Sequence, residues 1–456
     1  MQLALTKIEL MVELVIPNVY LVLPNERSLE MKHPMTILLV LCTLLLVLSP
    51  AFAAGTKEEA SGPVTLTFVE TMTSPSRTAQ IQELIAKYEA QNPNVKINLV
   101  SPPYEQADNK LTLMLNSNQE LDIIEVRDHT VKQFVNNNKL VDLTDYLKTW
   151  DQGDDLLPLT MTAATTVNNT PYLLPQFFFV KGLFVRTDIL AKHGFTTMPK
   201  TIEELYKMSI AITGKAANQY GFGFRGKGSA FKISDILILS DVDNINVDNI
   251  YKTTDGSFAF SSPAARKAVA AYVDLYKKAV PSDGINWGFN EQVNGFISGT
   301  TPFLVQDPDT VSMVAEALDP SQWTVIPMPV GASGKTYLDY GFAGLGIPST
   351  SKHKDLAWDF ISFMVNAENN ADFCRAYGPL PVHTSTYAND PYFSSGVYKS
   401  WEIEMSNPAT YVFVKYPLDN PKYPAWAQVQ EQTMQSLLLG STTVDQAIKS
   451  WEDYWK

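Results

Sequence analysis

Apolar and polar positions alternate along the chain with two periods, and the switches between them lay out the elements. Val64, Leu66 and Phe68 are separated by threonines, the period-two pattern of a strand with one face more buried than the other. Ser74-Pro75 then reads as an N-cap followed by proline at the first helical position. Ile81, Leu84, Ile85 and Tyr88 fall on one helical face, and Asn92-Pro93 ends that helix. Val95, Ile97 and Leu99 predict the next strand, a helix runs near Leu111 to Leu115, and Leu121 to Val126 is a further strand. Val131, Phe134 and Val135 begin a helix that stops at Asn136 to Asn138. Units of this kind predict a mostly parallel sheet with helices on its faces.

The stretch from Pro171 to Leu205 breaks the alternation. An aromatic segment (Leu173, Leu174, Phe177, Phe178, Phe179) runs into a short β-like run, Leu183 to Val185, and then a charged turn. The helix after it begins at Thr201, with Glu204 three residues on, the spacing of a capping box. Further along, Ser262-Pro263 opens a long helix with Val269, Tyr272, Val273 and Tyr276 on one stripe. Strands are expected at Phe303 to Val305 and over the apolar run Gly341 to Ile347, with helices at Leu356 to Met364, after Ala425, and around Val444 to Trp455.

The first 53 residues follow another logic. Lys32 and His33 precede twelve apolar or near-apolar residues, Ile37 to Leu48, and Ala51-Phe52-Ala53 is a small-residue cleavage site. Twelve residues fall short of the ~20 that span a bilayer. Residues 1–53 are therefore expected to be an upstream extension plus a cleaved signal, with translation starting at Met1, Met31 or Met35, and 54–63 to be a tether. Leu41 before Cys42 is bulky and the apolar run continues past it, so a lipid anchor is not expected. Cleavage would leave Cys374 as the single cysteine, excluding an internal disulfide and a cysteine-based metal site.

Composition narrows the function. A chain of 456 residues with 45% hydrophobic and 18% charged positions is long enough for two or three domains with real cores. The net charge of −13 becomes −12 once the signal, with three basic and four acidic residues, is removed; this surface would repel nucleic acid. Gly221 to Gly226 fits GxGxxG, but a loop precedes it and its phenylalanines make it strand-like, so it lacks the strand–turn–helix setting of a dinucleotide site. Gly334-Lys335-Thr336 resembles the end of a P-loop, yet the first glycine would have to stand at Pro329. His129, His193, His353 and His383 are too far apart to suggest a metal, and read as surface or loop histidines. No cofactor is expected.

The order of the motifs carries a resemblance. Pro175, Phe184, Arg186, Asp188, Ile189, Leu190, Gly194 and Pro199-Lys200-Thr201 stand where family 1 extracellular solute-binding proteins cross between lobes. The similarity extends over nearly all of 64–456, through the string Lys139 to Leu147, Phe296 to Gly299, Pro327-Met328-Pro329, Ala357 to Phe363, Gly378 to Pro381 and Gly440 to Ala447. Each motif is weak by itself; their order and spacing together are specific. The resemblance implies an α/β fold of two lobes, each a mostly parallel sheet flanked by helices and joined by a hinge. Lobe I would hold 64–182 with 339–376, and lobe II 183–338 with 377–456.

It also implies a periplasmic receptor, not an enzyme, that captures a sugar, oligosaccharide or sugar alcohol and delivers it to the permease of an ABC importer, acting as a monomer. A non-sugar receptor and a secreted carbohydrate-active enzyme remain the alternatives. Sugars are held by aromatic faces and by charged side chains forked onto hydroxyls, on loops at the carboxyl ends of strands. That position selects Glu70 and Thr71 after the first strand, Arg127 and Asp128 after Val126, and Asp307 and Asp309 after Val305. Many relatives carry Gly-X-Trp at this last place, where Gln306-Asp307-Pro308-Asp309 suggests hydroxyl capture instead. Phe177 and Phe179 lie in the crossing segment, Tyr340 and Gly341 at the next crossing, and Arg225 and Trp287 on loops. Trp426 stands where sugar receptors often place a stacking tryptophan. The candidate cleft is more acidic than basic, which disfavours a phosphate ligand.

Overall fold

The computed structural model describes residues 62–456 apart from Thr166 and Asp419; the expected signal segment and nearly all of the tether lie outside the described residues. Pro63–Lys456 forms one compact unit. Its first sheet is built from β1 (Val64–Val69), β2 (Val95–Val100), β3 (Ile123–Arg127), β4 (Leu174–Val180) and a late strand, Tyr340–Gly346, in the order β2, β1, β3, late strand, β4. The second sheet is smaller: β5 (Gly182–Val185) lies between Phe303–Gln306 and Thr324–Ile326. With β6 (Ile245–Asn246) and β7 (Asn249–Thr253) forming a hairpin, these later strands are β8 (Phe303–Gln306), β9 (Thr324–Ile326), β10 (Thr336–Leu338), β11 (Tyr340–Gly346) and β12 (Tyr411–Phe413).

Strand direction departs from the sequence expectation. β1 pairs in parallel with β2 and β3, as the β/α alternation predicts. β11 runs antiparallel to both β3 and β4, and β5 is antiparallel to β8 and β9. The reason lies in the crossings. A strand that enters from the other lobe is not delivered by a helix of its own sheet, so the crossover that enforces parallel pairing is missing.

The helix signals hold at residue level. Ser74 accepts from the Arg77 N–H and caps the helix Pro75–Gln91; Ser262 does the same for Pro263–Ala279 through Ala265. Thr201 and Glu204 close the capping box reciprocally, at 3.1 and 3.3 Å. The glycines of the 221–226 motif serve packing: the Gly223 N–H donates to Phe303 O at 2.8 Å beside β8. A Cβ on Gly221 would stand 1.8 Å from Ser209 O, so the segment lies directly on the helix Ile202–Ile212 and cradles no phosphate.

Aromatic rings fill both interiors. Tyr88 and Phe68 meet Phe360 of the helix Lys354–Val365 edge-on, with centroids 4.9 and 6.1 Å apart, behind the first sheet. Phe184 of β5 stacks on Trp323 at 6.1 Å and meets Trp401 edge-on. Each such side chain contributes about 1.5–3 kcal/mol by leaving water.

One charged cluster lies inside the first core. Arg77, fully buried, donates Nη1–H to Glu70 Oε2 at 2.9 Å and Nη2–H to Glu125. Its guanidinium also sits 5.4–5.5 Å from the rings of Phe177, Phe373 and Tyr377. Two carboxylates face one cation, and further donors offset the second: the Thr71 and Met72 N–H groups reach Glu125 Oε2 at 2.7 and 2.9 Å, and the Thr78 hydroxyl reaches Glu70 Oε1 at 2.6 Å. Removing one partner of such a network leaves buried charge uncompensated. Arg77→Met is expected to lower the unfolding free energy by about 3–5 kcal/mol, read as a lower urea midpoint with unchanged slope.

Candidate functional site

Two of the crossings between the sheets are single residues. Lys181 alone separates β4 from β5, and Asp339 alone separates β10 from β11. The register pairs Tyr340 with Val180, which brings Lys181 and Asp339 side by side just beyond that pair. Both are buried. Lys181 Nζ donates to both oxygens of Asp307 at 3.0 and 3.1 Å. Asp339 receives Lys232 from the helix Ala230–Leu239 at 3.1 Å. Burial works against the charged form of Asp339, but Lys232 and then Lys181 hold its carboxyl below the usual range.

Around this paired crossing the structure gathers several of the expected residues. Phe179, half-buried, is the register partner of Gly341, with Tyr340 next along the strand. Asp307 and Asp309 follow β8, and one Asp309 oxygen is enclosed with no hydrogen-bond partner. Burial, reinforced by Asp307, pushes the Asp309 carboxyl up to about 7. A third crossing passes here: Gly378, at φ +111°, packs so closely that a Cβ would lie 2.6 Å from Asp309 Cα. Arg225 lies within electrostatic reach of Asp307, Glu431 and Asp309 and is held below its usual range by desolvation, with its guanidinium 5.8 Å from the Phe289 ring.

Beyond the crossing the cleft widens into a pocket of about 300 Å³, with Asp128 and His129 on one wall, Lys232, Tyr416 and Tyr423 on the other, and Tyr340 at its base. Asp128 and Lys232, from opposite walls, feel each other's charge. Lys232 also sits 5.3 Å from the Tyr416 ring. At the rim Arg127 grips Asp108 through Nε, at 3.0 Å, and Nη2, and lies 4.9 Å from the exposed Tyr104 ring. His129 bridges two carboxylates: Nε2 is 2.9 Å from Asp108 Oδ2 and Nδ1 is 3.1 Å from Asp128 Oδ1. The hydrogen bond to Asp108, then that to Asp128, raises the imidazole to about 9.

Other expected positions fall outside the cleft. Glu70 and Thr71 follow β1 as predicted, but both are fully buried and committed to Arg77, Thr78 and Glu125. Phe177 points into the same core, stacked on Phe373, while Phe179, two residues on along the same face of β4, meets it edge-on at 5.5 Å from a half-buried position. Trp426 is fully buried among Tyr251, Tyr454 and Trp455, packed between the helices Tyr423–Leu438 and Val444–Trp455. Trp287 donates its indole N–H to Asp283 at 3.0 Å and folds against Gly295, so its ring is taken up by contacts within its own segment.

Sequence reasoning missed Lys181, Lys232, Asp339, Tyr416 and Tyr423, and read His129 as an ordinary loop histidine. Lys181 and Asp339 had a signal: each is the lone polar residue where one apolar run hands over to the next. The tyrosines had none, because only the tertiary fold brings 416–423 opposite 128–132. The added lysines also change the charge picture, since the cleft is no longer predominantly acidic.

A family model described as bacterial extracellular solute-binding protein matches residues 74–371. The Escherichia coli protein YcjN is 22% identical over 359 residues, 78% of this chain and 81% of its own. The mannitol-binding protein of Pseudomonas aeruginosa is 27% identical over 247 residues, 52% of this chain and 53% of that protein. Among solved structures, the sugar-binding protein MalE of Xanthomonas citri superposes with a TM-score of 0.72 at 20% identity, covering 86% of this chain and 96% of that one. A solute-binding protein of Agrobacterium vitis with bound D-mannitol gives 0.66 at 22% identity, covering 85% and 96%. These likenesses establish the two-lobe fold.

The doubly bridged imidazole gives a direct check. In an NMR titration the His129 ring is expected to titrate near 9, and Asp108→Asn to bring it back toward the unperturbed ~6.5. Because the folded-state value is raised, the stabilisation from the charged ring is complete below about 6.5 and is lost as pH rises through about 9.

Proposed function

The chain belongs to the bacterial extracellular solute-binding proteins, and from that membership we propose that it captures a sugar or sugar alcohol between its two lobes and hands it to an ABC importer. The family consists of binding proteins, not enzymes. The observation that carries the ligand class is the composition of the cleft. Tyr340, Tyr416 and Tyr423 offer ring faces for C–H surfaces, while Asp307, Asp309 and Lys232 stand ready for hydroxyls around the same crossing. The mannitol-binding relative and the mannitol-bound structural neighbour support it. Included in the proposal are the lobe division at 64–182 with 339–376 against 183–338 with 377–456, secretion through a cleaved signal, a monomeric receptor and docking to permease subunits. Hinge closure about the crossings would be the whole mechanism, without chemistry.

One observation favours the enzymatic alternative enough to test. Asp309, raised to about 7 beside Asp307, has the look of a carboxyl pair split into acid and base. Lys181 occupying both Asp307 oxygens argues for a fixed binding group. Incubation with chromogenic glycosides is expected to release no product.

The receptor reading is tested by thermal shift of the secreted chain against monosaccharides, disaccharides, polyols and amino acids. A true ligand at a thousandfold excess over its Kd stabilises by about 4 kcal/mol. Tyr340→Ala and Asp307→Asn should each weaken it about tenfold or more. Stabilisation by amino acids alone would refute the carbohydrate assignment.

A further inference from the structure

The pocket wall made by Lys232, Tyr416 and Tyr423 is held from behind by a group that does not itself reach the pocket. We propose that Asp235 is a positioning residue for solute capture, its carboxylate fixing Tyr416 and, through Gln430, the helix that carries Tyr423. This role rests on the receptor reading and adds to it a group outside the cleft.

Asp235 follows Lys232 by one turn on the helix Ala230–Leu239 and is fully buried. Three neutral donors from three parts of the chain converge on it. Gln430, on the helix Tyr423–Leu438, donates Nε2–H to Oδ1 at 2.5 Å. The hydroxyls of Tyr251, on β7, and of Tyr416 donate to Oδ2 at 2.9 and 3.4 Å. Tyr251 also reaches Gln430 Oε1 at 3.4 Å, which closes the network on itself. Two of these partners lead straight to the pocket. Tyr416 lines it, with Lys232 5.3 Å from its ring and the Tyr423 ring 5.8 Å away. Gln430 sits on the helix that Tyr423 begins.

A carboxylate is a costly choice for this place unless its charge matters. Burial, above all, pushes the Asp235 carboxyl up to about 7; the bonds from Gln430, Tyr251 and Tyr416 oppose the rise and Asp339 adds to it. Tyr272, on the helix Pro263–Ala279, and Tyr423 also feel its charge, while Lys232 on its own helix is turned to Asp339. Because the folded-state value lies above the usual ~3.9, stability is greatest with the group protonated and is lost as pH rises through about 7. An asparagine would avoid that loss. What it lacks is the charge, and hydrogen bonds to an ionised acceptor are roughly twice as strong as neutral ones. The ionised form therefore holds Tyr416 firmly. Protonation loosens it, since the Tyr416 bond is the longest of the three.

The experiment has a ligand-free and a ligand-bound arm, both on the secreted chain. Without ligand, carbon-13 NMR follows the Asp235 carboxyl and the Tyr416 ring between pH about 5.5 and about 8.5, a range that brackets the expected midpoint. The Tyr416 ring shifts are expected to move with the Asp235 midpoint near 7, and to stay at one value in Asp235→Asn. Ring shifts in the unmodified chain that ignore the Asp235 midpoint would overturn the inference. With ligand, calorimetric titration at the alkaline end of that range uses D-mannitol, D-ribitol, D-glucose and maltose as probes. Asp235→Asn and Tyr416→Phe should each weaken the probe that binds by about tenfold, and the double variant should weaken it no further, because both remove the same link. Additive losses would overturn the inference, since Asp235 would then act on the fold at large and not through Tyr416. Silence from all four probes would tell against the receptor reading alone; the ring measurement, which needs neither ligand nor variant, would still decide whether Asp235 holds the wall.

Discussion

Arg77 is the constraint on which the first lobe's half of the cleft depends. A guanidinium inside a protein must be met by acceptors or it destabilises the fold by several kcal/mol. Here the acceptors come from the ends of two strands, Glu70 after β1 and Glu125 within β3. The cation therefore fixes where those strands stop relative to the helix Pro75–Gln91. Its flat faces are covered by Phe177, Phe373 and Tyr377, which ties β4 and the helix Ala367–Tyr377 to the same point. Phe179 and Gly378, each one or two residues further along, reach the cleft from these anchored positions. Glu70, which sequence position suggested for ligand contact, thus helps hold the floor on which the contacts are mounted.

The second constraint is the paired crossing. Lys181 and Asp339 are opposite charges at neighbouring positions just beyond antiparallel strands, each linked onward to a partner outside the first sheet, Asp307 after β8 and Lys232 on the helix Ala230–Leu239. Charge at a lobe junction is expensive to bury unless it is paired in this way. The pairing extends the first sheet's register directly into the cleft, so that strand geometry, not loop conformation, positions Tyr340 and Asp307.

Much of this was legible in the chain. Caps at Ser74, Thr201 and Ser262 marked helix starts, and the two apolar periods identified most strands, because these signals are local. The direction of β5 and β11 was not legible, since it depends on which lobe the preceding segment comes from. For the candidate site, the strand-end rule picked Asp128, Asp307 and Asp309 and the crossing pattern picked Tyr340, and the fold brings these four to the paired crossing and the pocket beside it. The same rule selected Glu70 and Thr71, where it could not see Arg77, seven residues on, claiming Glu70, nor Glu125 of β3 claiming Thr71. Trp426 followed an analogy of position, and its ring is enclosed by Tyr251 and Trp455, which lie far from it in sequence on one side and near the end of the chain on the other. Long-range aromatic packing of this kind leaves no periodic trace.

The single-residue crossings also set an order in time. Rotation about a hinge moves atoms in proportion to their distance from its axis, so Lys181 and Asp307 keep nearly the same spacing whether the lobes are apart or together. Arg127 and Asp108, out at the rim, would be carried away from the opposite wall by opening and brought back by closing. A solute arriving at the open cleft can be met at once by the groups near the axis, whereas the rim groups engage it only afterwards. Substitutions at the junction would accordingly be felt in how fast a solute is caught, and substitutions at the rim in how long it is kept.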